Sequence, residues 1–120
     1  MLTAHDLNDP ESARVRAYLP RFRAARAPEP GASDWGDWPA LLASRAHAPD
    51  DGPTAAMTIV TDSGFGTLSS SLIAVPAAAR WPESPLWRFA PGRPDRTAFE
   101  SVDIGATAAG AARPAASVAP

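Results

Sequence analysis

Cysteine and lysine are both missing from this 120-residue chain, and each absence excludes a set of functions. Without cysteine there is no disulfide, no thiolate metal site and no cysteine nucleophile. Without lysine there is no Walker-type phosphate loop, because that motif needs a lysine before its serine or threonine. No apolar run approaches the roughly 18 residues that a membrane span needs, and the first residues do not resemble a signal peptide. We therefore expect a cytoplasmic protein without a membrane span.

The charge balance argues against nucleic acid as a partner. The formal net charge is −2, so there is no general attraction to a phosphate backbone. One basic stretch could be interpreted as an RNA-binding patch, and its members are Arg14, Arg16, Arg21, Arg23 and Arg26. Arginines at this spacing more often form the solvated side of an amphipathic helix, which is the interpretation that we prefer.

Two helices are predicted in the first part of the chain. Residues 8–12 contain helix-start signals, with Asn8 or Asp9 as the cap and Pro10 in the first turn. The helix that follows should be kinked or divided at Pro20. Its apolar residues recur at intervals of three and four and form one stripe, which consists of Val15, Tyr18, Leu19 and Phe22. A second helix should run roughly from residue 35 to 46 after a cap at Ser33 or Asp34, and Pro39 then has to stand in its first turn.

After residue 50 the pattern changes to that of strands. Four are predicted, at residues 56–61, 67–75, 85–90 and 97–102. The glycines of DSGFG and the PGRPD stretch would close two hairpins. The expected fold class is α+β, with two helices on one face of an antiparallel sheet of two hairpins. We assign residues 1–104 to this domain and residues 105–120, rich in alanine, proline and glycine, to a disordered tail.

Few residues have the pattern of a reactive site. His5, Asp6 and Asp9 could be metal ligands, but acids beside a helix start are ordinary capping residues and no second histidine stands at ligand spacing. The serines at 69–71 follow a glycine-rich turn without matching a nucleophile motif. We predict no metal site, no catalytic residue and no required cofactor. The protein is more simply interpreted as lacking its own enzymatic activity.

Tryptophans are the one aromatic feature that could form a pocket. The chain has four, and Trp35, Trp38 and Trp87 are the candidates for lining a pocket that takes a flat ligand such as a porphyrin. Core packing is the simpler interpretation. A small ligand-binding module is therefore kept as an alternative.

Three stretches carry a family resemblance that covers roughly residues 1–103. The most specific is AMTIVTDSGFGTLSSSLIAVP, in which a strand turn of the form G-[YF]-G-T-x-S-[ST]-[ST] precedes an aliphatic run. This stretch resembles the C-terminal half of the NRDE family, the relatives of the transport and Golgi organisation protein 2. The matching positions are Gly64, Phe65, Gly66, Thr67, Ser69, Ser70 and Ser71.

The resemblance implies half of an αββα sandwich like that of the N-terminal-nucleophile hydrolases. The Asn-Arg-Asp-Glu stretch and the Met-Cys start of the family are missing here, so the nucleophile would belong to another chain. We expect a truncated or split, non-catalytic family member whose partner is an upstream N-terminal half or a second copy. The alternative is the supporting half of a cysteine-nucleophile amide hydrolase. Only the family resemblance, and no pattern of residues, suggests haem as a cofactor.

Overall fold

The computed structural model describes residues 1–80 and 82–104 and has an α+β architecture. Trp81 and the tail predicted for residues 105–120 lie outside the described residues. Three 3-10 turns connect the main elements. Those elements are α1 (Ala13–Ala24), α2 (Trp38–Leu42), β1 (Ser70–Ala74), β2 (Leu86–Ala90) and β3 (Glu100–Val102). The predicted class, an antiparallel sheet with two helices, is confirmed.

Helix α1 begins later than its sequence signals predict. Its cap is Ser12, whose hydroxyl accepts the amide N–H of Val15 at 3.3 Å. Asp9 instead accepts the amide N–H of Glu11 at 2.9 Å, and Asn8 has a left-handed backbone with a φ of 58°. These two residues therefore form a turn before the helix. The prediction that Asn8 or Asp9 caps α1 was wrong, because the turn uses both residues before the helix begins.

Pro20 does not divide α1. The helix continues to Ala24 with this proline inside it. Pro20 is exposed, and only four residues follow it before the helix ends, so the missing amide N–H removes a single hydrogen bond from the last part of the helix. The buried residues of α1, Val15 and Tyr18, both precede it.

Helix α2 is shorter than predicted and consists of Trp38–Leu42. Pro39 stands in its first turn, as predicted. Asp34 does not cap it, because this carboxylate accepts the amide N–H of Gly36 at 2.9 Å and pairs with the Arg26 guanidinium at 2.7 Å. Trp35 therefore lies in a loop that precedes the helix, where only 7% of it is exposed.

A buried polar cluster joins α1, α2 and the chain that follows. The Tyr18 hydroxyl lies 2.5 Å from the carbonyl oxygen of Ala46 and 2.9 Å from the Ser44 hydroxyl. The Thr58 hydroxyl donates to the carbonyl oxygen of Leu42 at 2.7 Å, and its amide N–H donates to the carbonyl oxygen of Ser44 at 2.9 Å. Tyr18 and Thr58 are both fully buried. The last residue of α2 and the segment that follows it thus receive hydrogen bonds from Tyr18 and Thr58.

This cluster explains why residues 56–61 are not a strand. The amide N–H and hydroxyl of Thr58 both bind the end of α2, so the segment follows the helix instead of a sheet. Of the predicted first hairpin, the described residues keep an isolated bridge between Val60 and Gly66 and two hydrogen bonds between Ile59 and Thr67. The expectation of a fourth strand was wrong for this reason.

The described sheet therefore has three strands in the order β1-β2-β3, and both pairs are antiparallel. The second predicted hairpin, β2 and β3, is present. The first is replaced by pairing of β1 with β2, which places Ile73 opposite Trp87 and Leu72 opposite Arg88.

The two faces of this sheet differ in burial. On the inner face, Leu72 is 3% exposed and Ala90 is fully buried. On the outer face, Ile73 is 62% exposed although it is apolar. The cross-strand partners place these residues together on the outer face: Ser71, Ile73, Trp87, Phe89, Glu100 and Val102.

The turn between β2 and β3 is held by an ion pair. The Arg93 guanidinium donates to both carboxylate oxygens of Asp95, at 3.0 and 2.7 Å. These hydrogen bonds lower the pKa of Asp95 below its usual value, against the opposite effect of burial. The carboxylate form of Asp95 therefore stabilises the fold.

Replacing Asp95 by asparagine is expected to weaken the acid sensitivity of the fold. A lowered folded pKa gives stability that is fully present above the unfolded value, about 3.9, and is lost as the pH falls through the folded value. The Tm of the unchanged protein should therefore fall as the pH decreases below about 4, and Asp95→Asn should show a smaller fall. Thermal melts followed by circular dichroism at a series of pH values measure this. Parallel Tm curves for the two proteins would contradict it.

Candidate functional site

The glycine-rich stretch that carries the family resemblance forms a closed turn. Gly64 has a φ of 89°, in the left-handed region where a side chain is unfavourable. A Cβ atom on Gly66 would lie 2.6 Å from the carbonyl oxygen of Ile59, so only glycine allows these two backbone segments to approach. The Thr61 hydroxyl also donates to the carbonyl oxygen of Phe65 at 2.5 Å. The two glycines are thus required by the geometry of the turn.

Thr67 closes this turn with two hydrogen bonds to one residue. Its amide N–H donates to the carbonyl oxygen of Ile59, and its hydroxyl accepts the Ile59 amide N–H, both at 2.9 Å. The Thr67 hydroxyl thereby accepts the amide N–H of Ile59, which in a β-sheet would donate to the backbone of a neighbouring strand. Phe65 at the tip of the turn is 63% exposed.

The serines after the turn have structural positions. Ser69 precedes β1 and is exposed, while Ser70 begins β1 and pairs with Ala90. Ser71 accepts the indole N–H of Trp87 at 3.1 Å. Within the described residues, no hydrogen bond joins these serines to a histidine. Their placement gives no support to a nucleophile at this point.

The three candidate tryptophans line two different clefts. Trp35 and Trp87 face a small cleft of about 90 Å³ beside the sheet, together with Arg88 and Val102. Trp38 lies elsewhere, and its ring is nearly perpendicular to that of Phe22 at a centroid distance of 5.6 Å. Ligand pockets are usually about 300 to 1,000 Å³, so the cleft that holds Trp35 and Trp87 is small for a porphyrin.

The histidine and acids near the N-terminus are close but open to solvent. His5 Nδ1 lies 3.9 Å from a carboxylate oxygen of Asp9, and Asp6 is exposed. Over residues 1–80 and 82–104, the structure contains no group of three or more histidines and acids that could hold a metal ion.

Two clefts on either side of Arg14 were not predicted from the sequence. The first, a polar cleft of about 250 Å³, is lined by His5, Ser12, Arg14, Asp51 and Thr54, among others. The second, of about 340 Å³, we call the apolar groove, and its lining residues are Met1, Leu2, Arg14, Leu19, Phe22, Trp38 and Met57. Only the helical stripe that contains Leu19 and Phe22 signalled part of this groove in the sequence.

Comparison with known proteins adds no relative to this geometry. No protein-family model, curated protein or solved structure matches the chain. The resemblance to the NRDE family therefore stays a prediction from the residues of the turn. None of the helices in the described part of the chain is long and apolar enough to cross a membrane.

Proposed function

We propose that this chain is the non-catalytic half of an NRDE-like protein, and that it acts by packing the outer face of its sheet against a second β-sheet. The observation that carries this proposal is the apolar outer face. Ile73 in β1 is 62% exposed and Val75, just after β1, is 74% exposed. Trp87 and Phe89 lie beside Ile73 on the same face, with ring centroids 5.8 Å apart.

A second sheet fits this face better than a helix or a small ligand. The outer face is formed by alternate residues of short antiparallel strands, the pattern from which two-sheet sandwiches build their core. Aromatic and β-branched side chains dominate it, and Glu100 at β3 is its one charged member among the described residues. Stacked sheets lie about 10 Å apart, which side chains of this size span when they interdigitate.

The sheet edges also favour a partner that adds strands. β1 and β3 each have a strand neighbour on one side only in the described part of the chain. Edge strands with open amide and carbonyl groups pair readily with a further strand. Stable protein interfaces bury roughly 1,200 to 2,000 Å² of accessible surface in total. Three short strands offer too little area on one face, so the partner has to cover a sheet edge as well.

The first test of the family assignment is the DNA next to the coding sequence. An NRDE-like partner is expected within about two hundred codons upstream or in an adjacent gene, with a Met-Cys start and an Asn-Arg-Asp-Glu stretch. Co-expression of that polypeptide with this chain should yield a stable complex by size-exclusion chromatography with light scattering. If the neighbouring DNA encodes no such stretch, the proposal is wrong.

Replacing Ile73 by lysine is expected to weaken that complex at least about tenfold, because a charge would have to be buried between two sheets. The fold of the chain itself should change little, because the side chain is mostly exposed. Isothermal titration calorimetry measures the affinity, and a thermal melt checks the fold.

Leu68→Lys is the matched control for this variant. Leu68 is 84% exposed and precedes β1, so the same change of an apolar residue to lysine should leave the affinity unaltered. If the Ile73→Lys and Leu68→Lys variants bind the partner with equal affinity, the outer face is not the contact surface. Amide hydrolysis by the complex would favour the alternative in which this chain supports a cysteine-nucleophile hydrolase.

A further inference from the structure

We infer that the apolar groove is a binding site for a hydrophobic carboxylate, whose apolar chain lies in the groove and whose carboxylate binds Arg14. The groove belongs to the helical part of the molecule and shares no residue with the sheet face proposed above for the partner. This inference is therefore independent of the proposed function.

The walls of the groove are suited to an apolar chain. Leu19 and Phe22 project from successive turns of α1, and the ring of Trp38 at the start of α2 packs against Phe22 in a T-shaped pair. Leu2 and Met57 come from segments before and after the helices. The volume of about 340 Å³ falls within the range of about 300 to 1,000 Å³ that is usual for small-ligand pockets.

Arg14 gives this otherwise apolar groove a positive charge. It is the one charged side chain among the lining residues, and no acidic side chain of the described residues forms an ion pair with it. Arg16 and Arg26 pair with Asp51 and Asp34. Arg21 and Arg23 of α1 also form no ion pair with the described residues, but of the arginines on this helix only Arg14 lines the groove. An anionic group is therefore the complement of this groove.

The guanidinium of Arg14 also has unused hydrogen-bonding capacity. One Nη donates to the carbonyl oxygen of Thr54 at 3.1 Å, and the guanidinium has no other hydrogen bond among the described residues. Nε is buried, so the Nη groups are the donors that a ligand in the groove can reach. A carboxylate accepts charge-assisted hydrogen bonds from such donors, and these are stronger than hydrogen bonds between neutral groups.

The position of Arg14 between the two clefts explains why the ligand should be amphipathic. Arg14 lines both the apolar groove and the polar cleft, whose other members include Ser12, His5 and Thr54. Asp51 also lines the polar cleft, where its carboxylate pairs with Arg16. A ligand can therefore leave its chain among Leu19 and its neighbours while its head group stands at the polar side. Arg14 lies in the first turn of α1, where the positive end of the helix dipole adds to its attraction for an anion.

The first experiment compares three probes that share one alkyl chain and differ in charge. Octanoate, 1-octanol and octylammonium are titrated separately into the full chain by isothermal titration calorimetry. Octanoate should bind at least about tenfold more tightly than octanol, because one charge-assisted hydrogen bond is worth about that factor. Octylammonium should bind more weakly than both. Equal affinities for octanoate and octanol, or no binding of octanoate, would overturn the inference.

The second experiment compares two variants that remove the same charge from the same helix. Arg14→Gln should lower the affinity for octanoate about tenfold and leave that for octanol unchanged. Arg23→Gln is the control, because Arg23 is exposed on α1 and does not line the groove. Equal effects of the two variants would overturn the role of Arg14. If Arg14→Gln does not fold, the comparison of the three probes on the unchanged protein still decides the question.

A second copy of the chain is the other candidate occupant of the groove. Sedimentation velocity over a range of concentrations, with and without octanoate, separates the two. A monomer that binds octanoate supports the inference. A dimer that excludes octanoate from the groove would overturn it.

Discussion

Replacement of Tyr18 by alanine is expected to remove a large part of the stability of the fold. Tyr18 is the largest fully buried side chain among the described residues. Truncation of a buried aromatic ring costs about 3 to 5 kcal/mol through lost burial and the cavity that remains. Small domains have only about 5 to 15 kcal/mol in total. Urea unfolding followed by circular dichroism should show a loss of this size or no cooperative transition.

Tyr18→Phe separates the ring from its hydroxyl group. This variant keeps the ring but removes the hydrogen bonds to Ser44 and Ala46, which we expect to destabilise the fold by about 1 to 3 kcal/mol. A cooperative but lowered transition in Tyr18→Phe is therefore expected between the unchanged protein and Tyr18→Ala. If Tyr18→Ala melts like the unchanged protein, the polar cluster is not the centre of the fold.

The elements that sequence predicted well are those fixed by local patterns. The stripe of α1 places Val15 and Tyr18 on one side, and both are buried in the structure. Strand β2 also follows its pattern closely, since the predicted residues 85–90 became Leu86–Ala90. In both cases the local periodicity and the tertiary contacts favour the same structure.

The elements that sequence predicted poorly are those fixed by distant hydrogen bonds. Residues 56–61 have good strand propensity, but the end of α2 binds Thr58 and holds the segment away from the sheet. Asp34 is a different case: it is a good cap by type, but its carboxylate accepts the amide N–H of Gly36 and pairs with Arg26, both nearby in the chain. Propensity could not predict either outcome, because it takes no account of which hydrogen-bond partners the fold brings to Thr58 and Asp34.

Of the candidate sites, one could be predicted from the sequence and one could not. The turn at Gly64 and Gly66 was predictable, because glycine spacing is a local signal for a tight connection. The apolar groove was not, since Leu2, Trp38 and Met57 meet around α1 only after folding. Arg14 looked like one of several solvated arginines in the sequence. What distinguishes it from the other arginines of α1 is its place in the wall of the groove, which only the folded structure shows.

Replacement of Gly66 by alanine is expected to open the turn that carries the family resemblance. The new Cβ atom would lie 2.6 Å from the carbonyl oxygen of Ile59, which is backbone and cannot rotate away. Forcing an additional methyl group into such a contact costs about 1 to 3 kcal/mol. The hydrogen bonds between Ile59 and Thr67 should break first, because they lie next to the contact. Hydrogen exchange should therefore become faster at these two amides than elsewhere in the protein.

Gly31→Ala is the control for this change, because no atom lies within 4 Å of the position that a Cβ atom would take there. It should leave both the Tm and the exchange rates nearly unaltered, whereas Gly66→Ala lowers the Tm by several degrees. The comparison tests the physical basis of the motif. If Gly66→Ala keeps the slow exchange of Ile59 and Thr67, close backbone approach is not the reason for glycine at this position. The expected result is faster exchange at the amides of Ile59 and Thr67 while β2 and β3 stay protected. It would mean that Gly66 allows the backbones of Ile59 and Thr67 to approach and form their hydrogen bonds.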